Sequence, residues 1–193
     1  MAARRPDGID GGVGALRRLG RAAASVPRAL AWIPPVTLAV FIFSLSSREG
    51  GSGPRSWWHL GGLTWNLAHP VLYGVLALSA IPLAPRATAA GERRAIALTP
   101  TAALWLFVLV VLYGFTDELH QSTVDGRDAS LLDVVSDGVG AAAVLSIAVY
   151  LGGNSASDGG LVRRIVAWAI AALAAAGAAT LWGRFVGPGP WPF

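Results

Sequence analysis

Long apolar runs alternate with short polar ones along the whole chain. Five runs stand out, at residues 29–46, 67–83, 96–115, 131–151 and 165–182. Each approaches the roughly 20 mainly apolar residues that a helix needs to cross a bilayer. The pattern predicts an all-α, polytopic transmembrane bundle, with four core spans and an Ala-rich fifth near the C-terminus. Pro34 and Pro35 fall inside the first run and predict a kink there, which a bilayer tolerates when neighbours satisfy the freed carbonyls. Pro82 and Pro85 close the second. Residues 47–64 read as a Gly/Ser/Trp-rich loop, and Trp57, Trp58 and Trp65 suit the headgroup level. Residues 187–193 are too rich in Pro and Gly for a helix.

Composition strengthens the membrane reading. Only 13% of residues are charged, against about 25% in ordinary soluble domains. No cysteine is present. That excludes disulfide frameworks, thiolate metal sites and cysteine nucleophiles together. The sequence pI of about 10.6 invites a nucleic-acid partner. The arginines argue against it, because they sit in short clusters between apolar runs and do not interleave with aromatics. Membrane lipids are the partners this distribution fits.

The arginines also orient the spans. With the N-terminus inside, the cytoplasmic segments hold eleven of the 15 arginines: six in residues 1–28, three in the second connection and two in the fourth. Arg48, Arg55, Arg127 and Arg184 fall outside. Residues 1–28 then form a basic cytoplasmic tail, in which 14–24 read as a short amphipathic helix on the inner surface. A cleaved signal peptide would show a short basic region and a small-residue cleavage site. The long basic stretch and the Ser44–Ser47 end favour an uncleaved first span.

The chemistry concentrates in residues 113–137. If the third helix continues through Gln121, Asp117 shares a face with His120 at i, i+3 and with Gln121 at i, i+4. Glu118 neighbours that face, which leaves it a solvated or headgroup position as readily as a chemical one. Asp125-Gly126 predicts a tight turn, and Asp128 or Ser130 a cap for the next helix. Asp133 and Asp137 then share a face of span four, and His69 and Tyr73 a face of span two. Ionisable groups inside a span normally face the bundle interior with partners and mark a functional site. Under the inferred topology His69, Asp117, His120, Asp133, Asp137 and the Ser44–Ser47 segment all lie at outer helix ends. A purely structural alternative has Asp133 and Asp137 pairing with Arg127 and His120 to lock helices. Gly138 and Gly140 read as points of close helix approach.

At these residues the chain resembles the VanZ-like family of membrane proteins linked to teicoplanin resistance. The family pattern is matched by Ser46-Ser47, His69 with Tyr73, Asp117-Glu118-Leu119-His120-Gln121, Gly126-Arg127-Asp128, and Asp133 with Asp137. The match covers about residues 36–150, within a membrane domain at 29–151; residues 1–28 and 152–193 fall largely outside it. Asn66 stands where the family often has Lys, and Asp125 where it often has Pro. The resemblance implies a bacterial plasma-membrane protein in cell-envelope physiology or glycopeptide tolerance. It brings no established reaction and no cofactor.

Three function classes follow. In an enzyme acting on a lipid-linked or other envelope substrate, His120 is the general acid or base, oriented by Asp117. Asp137, Asp133 and His69 complete that catalytic set. Arg127 binds a phosphate or carboxylate, with Glu118, Gln121 and Tyr73 lining the substrate. Ser46 or Ser47 is a weaker nucleophile candidate. A metal-dependent variant would use His69, His120, Asp117 and Asp137 as ligands, but no His-Glu-x-x-His motif supports it. In a binding or shielding protein, the same face holds a lipid or a glycopeptide without turnover. In a transporter, the ionisable groups relay protons, although such groups belong near the midplane. The topology is directly testable: tags at the N-terminus and near residue 125 are expected to label on opposite sides of the membrane. Labelling on one side would overturn it.

Overall fold

A computed structural model describes residues 11–49, 61–84, 98–127, 129–153 and 155–185. Trp57, Trp58, Arg55, Arg86, Arg93, Arg94, Asp128 and the Pro/Gly tail lie outside the described residues, as do Arg4 and Arg5. The described residues form helices and connecting turns, without strands. They are α1 (Gly12–Ala24), α2 (Arg28–Ala31), α3 (Ile33–Ser46), α4 (Gly61–Ala80), α5 (Pro100–Gln121), α6 (Leu131–Gly152) and α7 (Asp158–Phe185). Five segments are long and apolar enough to cross a membrane: Arg28–Ser46, Gly62–Leu83, Pro100–Gln121, Leu131–Gly152 and Asp158–Phe185. The chain is a multi-pass helical membrane protein. Large apolar side chains such as Val40, Val71, Trp105, Leu109 and Ile170 point outward, whereas Asp117, Glu118 and Asp137 are buried. That inverts the usual soluble distribution, as lipid surroundings demand.

Local chemistry explains most helix ends. Pro34 and Pro35 do not kink a continuous first helix. The chain breaks at Trp32 and restarts at Ile33, so both prolines fall in the first turn of α3, where missing N–H groups cost little. Thr99 caps α5 by accepting from the Ala102 amide, with Pro100 at the first helical position. α5 runs on to Gln121, six residues past the apolar run. Ser130 caps α6 by accepting from the Leu132 amide. Between them, Gly126 takes φ 70°, the left-handed conformation that glycine adopts without penalty.

α4 departs most from the hydropathy pattern. It begins at Gly61, not near residue 67, and continues through Pro70 to Ala80, followed by a 3₁₀ turn at Ile81–Leu83. His69 is therefore the ninth residue of its helix, roughly 12 Å along it, and does not lie at the helix end. Asn66 Nδ2 donates to Thr180 Oγ1 of α7 at 2.9 Å, which ties this early start to α7.

The main buried cluster draws on α3, α4, α5 and α6, through residues such as Ile42, Leu76, Val110 and Leu145. α7 packs along α4 and α6. At the far end, α1 docks on the α6–α7 connection. Arg17 donates to the carbonyls of Leu151 and Gly153 at 2.9 and 2.6 Å, and the Val13 amide donates to Asp158 Oδ1 at 2.8 Å. A cation on the last carbonyls of α6 suits the helix dipole. α1 is thus a packed part of the bundle end, two residues longer than the pattern predicts at its start.

α4 and α6 approach most closely at Gly140. A Cβ there would lie 2.0 Å from the Pro70 carbonyl oxygen. At Gly138 it would meet only Val111 and Phe107 side chains at ordinary distances, so close approach is a property of Gly140 alone of this pair. Gly140→Ala is expected to destabilise the bundle by about 1–3 kcal/mol, the usual range for overpacking. Gly138→Ala should leave the thermal midpoint in detergent unchanged or higher. Equal midpoints for the two variants would contradict this packing.

Candidate functional site

The ends of α3 and α5, the start of α6 and the first half of α4 converge on one polar cluster. Helical periodicity does the sorting. On α5 the buried stripe runs Val110, Gly114, Asp117, Glu118 and Gln121. On α6 it runs Asp133, Ser136, Asp137 and Gly140. The predicted pairing of Asp133 with Asp137 on one inward face is what the helix produces. So is that of Asp117 with Gln121, whose Nε2 donates to Asp117 Oδ2 at 3.1 Å. His69 and Tyr73 also share a face, with stacked rings 6.4 Å apart.

The histidine–carboxylate dyad differs from the expected one. Asp117 does not orient His120. Its oxygens accept from Ser46 Oγ at 2.6 Å and from Gln121. Three residues along a helix leave side chains about 60° apart, enough to turn His120 toward α3. There it stacks on Phe43 at 4.5 Å and places Nε2 3.0 Å from Ser47 Oγ. Ser47 Oγ also lies 2.7 Å from the Phe43 carbonyl, which competes with His120 for the one hydroxyl proton. The dyad that forms is His69–Asp137, with Nδ1 3.0 Å from Asp137 Oδ1. An ionised Asp137 takes the N–H at that nitrogen and fixes the tautomer.

Arg127 also takes another role. It pairs with neither Asp133 nor Asp137, and two of its five N–H donors are spent on backbone carbonyls. Nε donates to the Arg48 carbonyl at 2.9 Å and Nη2 to the Leu45 carbonyl at 2.6 Å. It closes the C-terminal end of α3 and ties the α5–α6 turn to it. Glu118, which the sequence left as a solvated or headgroup position as readily as a chemical one, is fully buried. Its oxygens accept from Gln121 Nε2 at 3.2 Å and from the Ser130 amide at 2.8 Å, fixing the residue that caps α6.

Not every polar group is satisfied. Among the described residues, the hydroxyls of Tyr73 and Ser136, Asp133 Oδ1 and Asp137 Oδ2 are buried without a hydrogen-bond partner. Buried polar atoms in folded proteins are paired in the great majority of cases. Gly114 shapes this region, since a Cβ there would lie 2.7 Å from Asp137 Oδ2. Among the described residues, the cation-capable partner within ion-pair distance of these carboxylates is His69. His69, Glu118 and Asp133 each bring a possible ligand atom, all within 4.8 Å of one another. His120 and Asp117 are not part of that group. No protein-family model, curated protein or solved structure matches the chain, so the site is read from its own chemistry.

Two zones result. Ser46, Ser47, Asp117, His120, Gln121 and Arg127 join α3 to α5 through satisfied bonds. His69, Tyr73, Glu118, Asp133, Ser136 and Asp137 form a deeper zone with unused hydrogen-bonding capacity. Arg127→Gln tests the first assignment. Freed carbonyls at Leu45 and Arg48 should loosen the last turn of α3, since a hydrogen bond from a charged donor contributes about 1.5–3 kcal/mol. Amide exchange at Ser47 and Arg48 is expected to accelerate on the order of tenfold or more. An unchanged exchange rate would remove the tethering role.

Proposed function

We propose that this chain is a VanZ-like integral membrane protein of the bacterial plasma membrane, with its N-terminus cytoplasmic and its polar cluster facing outward. In this reading four spans carry the VanZ-like domain and α7 adds a fifth. The protein acts in cell-envelope physiology or glycopeptide tolerance, through acid/base chemistry on a lipid-linked or other envelope substrate. The motif series over residues 36–150 and the arginine distribution support the family and the orientation. The observation that carries the chemistry is the His69–Asp137 dyad, 3.0 Å apart, beside buried polar atoms without a hydrogen-bond partner among the described residues.

The dyad changes the assignment of roles. His69 is the general acid or base and Asp137 orients it; both stand in the deeper zone, where a headgroup would meet them out of bulk water. A positioned histidine contributes typically 10²–10⁴-fold to a proton transfer. Tyr73 and Ser136 offer hydroxyls to a bound oxygen. Asp117, Gln121 and Arg127 hold the frame. Purely structural locking of helices accounts for the satisfied zone but not for the unsatisfied one. Passive shielding by a lipid- or glycopeptide-binding surface has little use for carboxylates at this depth. Transport finds weaker support, because the groups gather toward one end of the bundle.

Teicoplanin susceptibility in a sensitive host tests the reading, at matched membrane levels. Wild type is expected to raise tolerance, His69→Gln and Asp137→Asn to abolish it while remaining folded, and His120→Ala to reduce it only as far as folding falls. Full tolerance in the two dyad variants would dismiss the dyad. No effect of wild type would remove the resistance role.

A further inference from the structure

The deeper zone has the composition of a metal site. His69 from α4, Glu118 from α5 and Asp133 from α6 come from three different helices, and their candidate ligand atoms lie within 4.8 Å of one another. Proximity of acidic groups is not by itself a site. A second observation points to a ligand: Asp133 is 9% exposed and its Oδ1 has no partner among the described residues. A buried carboxylate oxygen with nothing to accept from is costly unless a cation or donor arrives. No described arginine is within ion-pair distance of it, and the sequence contains no lysine.

We infer that His69, Glu118 and Asp133 bind one divalent transition-metal ion inside the helix bundle. One imidazole and two carboxylates give three protein ligands of N and O type, the number that leaves a position open for water or substrate in catalytic zinc sites. The set suits zinc or manganese. With no thiolate or thioether among the three, it does not suit copper(I), and calcium prefers six to eight oxygens. Metal–ligand bonds of about 2.0–2.2 Å bring tetrahedral ligands roughly 3.4 Å apart, so the trio closes by about an ångström or so on binding.

The surroundings fit as well. Asp137 bonds Nδ1 of His69, the carboxylate–histidine relation that orients metal-binding imidazoles, so the ion would take the other nitrogen and a metal-bound His69 would be a ligand in place of a free acid or base. Gln121 and the Ser130 amide hold Glu118, and a carboxylate keeps lone pairs for an ion after accepting both bonds. The ligand set differs from the one that spacing alone suggests, because Asp117 and His120 are engaged on α3.

The inference rests on reading this cluster as a ligand site and not on any role in glycopeptide tolerance. Metal content reports on it without an activity assay. The full chain, carrying no histidine tag, would be stripped with chelator in detergent and titrated with zinc or with manganese. About one zinc per chain by mass spectrometry and a rise in thermal midpoint are expected. Cobalt substitution should give visible d–d absorption. Asp133→Asn and His69→Gln should each lower zinc affinity at least 100-fold. Asp137→Asn should lower it about 10–100-fold, and Asp117→Asn should bind like wild type. Circular dichroism establishes that each variant is folded. Failure of the folded wild type to hold either metal, or unchanged affinity in folded Asp133→Asn, would overturn the site. A negative teicoplanin test beside stoichiometric zinc would remove the envelope role and leave the metal site standing.

Discussion

Four carboxylates inside a helical membrane bundle are the constraint on which this structure depends. Asp117, Glu118, Asp133 and Asp137 are all buried, and an uncompensated ion in so poor a solvent costs several kcal/mol even after relaxation. The helices converge so that these groups find partners. Ser46 reaches from α3, His69 from α4, Gln121 from α5, and the Ser130 amide from the start of α6. The positive end of α6 adds a favourable field, with Asp133 in its first turn. Gly114 and Gly140 keep the backbones near enough for side chains this short to meet.

Satisfaction is uneven, and the unevenness separates architecture from chemistry. Asp117 and Glu118 each receive bonds on both oxygens. Asp133 and Asp137 each keep one oxygen with none. A bundle selected for rigidity alone would gain by pairing or replacing such groups, because apolar substitutes of similar volume are often neutral or stabilising. Retaining them beside a histidine is the pattern of a site that binds something. The latch around Arg127 and His120 joins the end of α3 to α5 and to the turn that follows it, and it fixes the frame within which the deeper groups are held.

Hydropathy made the five helices legible, because the need for about 20 apolar residues is a one-dimensional signal. The pairs at i, i+4 were equally legible: Asp133 with Asp137, Asp117 with Gln121, His69 with Tyr73. What failed was pairing across helices. Asp117 and His120 diverge by about 60°, and only the position of α3 decides that Ser46 takes one and Ser47 the other. The tether from Arg127 to the Leu45 and Arg48 carbonyls was not legible, because its partners are backbone atoms without a sequence signature. Glu118 looked marginal because its partners are Gln121 one turn on and the Ser130 amide, which only the folded α5–α6 turn brings near. The contact of Pro70 with Gly140 was half visible, as a glycine expected to permit close approach but with no named partner.

The start of α4 was illegible for a reason that bears on the site. Gly61-Gly62-Leu63-Thr64-Trp65-Asn66 has weak helix propensity, and Pro70 removes the intrahelical bond that the Asn66 carbonyl would otherwise receive. These turns need tertiary help, and α7 supplies some of it. Asn66 donates to Thr180, and Gly62 lies so close to Thr180 that a Cβ would meet its methyl at 3.0 Å. His69 follows Asn66 by three residues, so the direction from which its ring enters the cluster depends on that contact. α7 thus does more than add apolar length: it braces the weakly helical segment that carries His69, the one residue shared by the dyad and the proposed metal site.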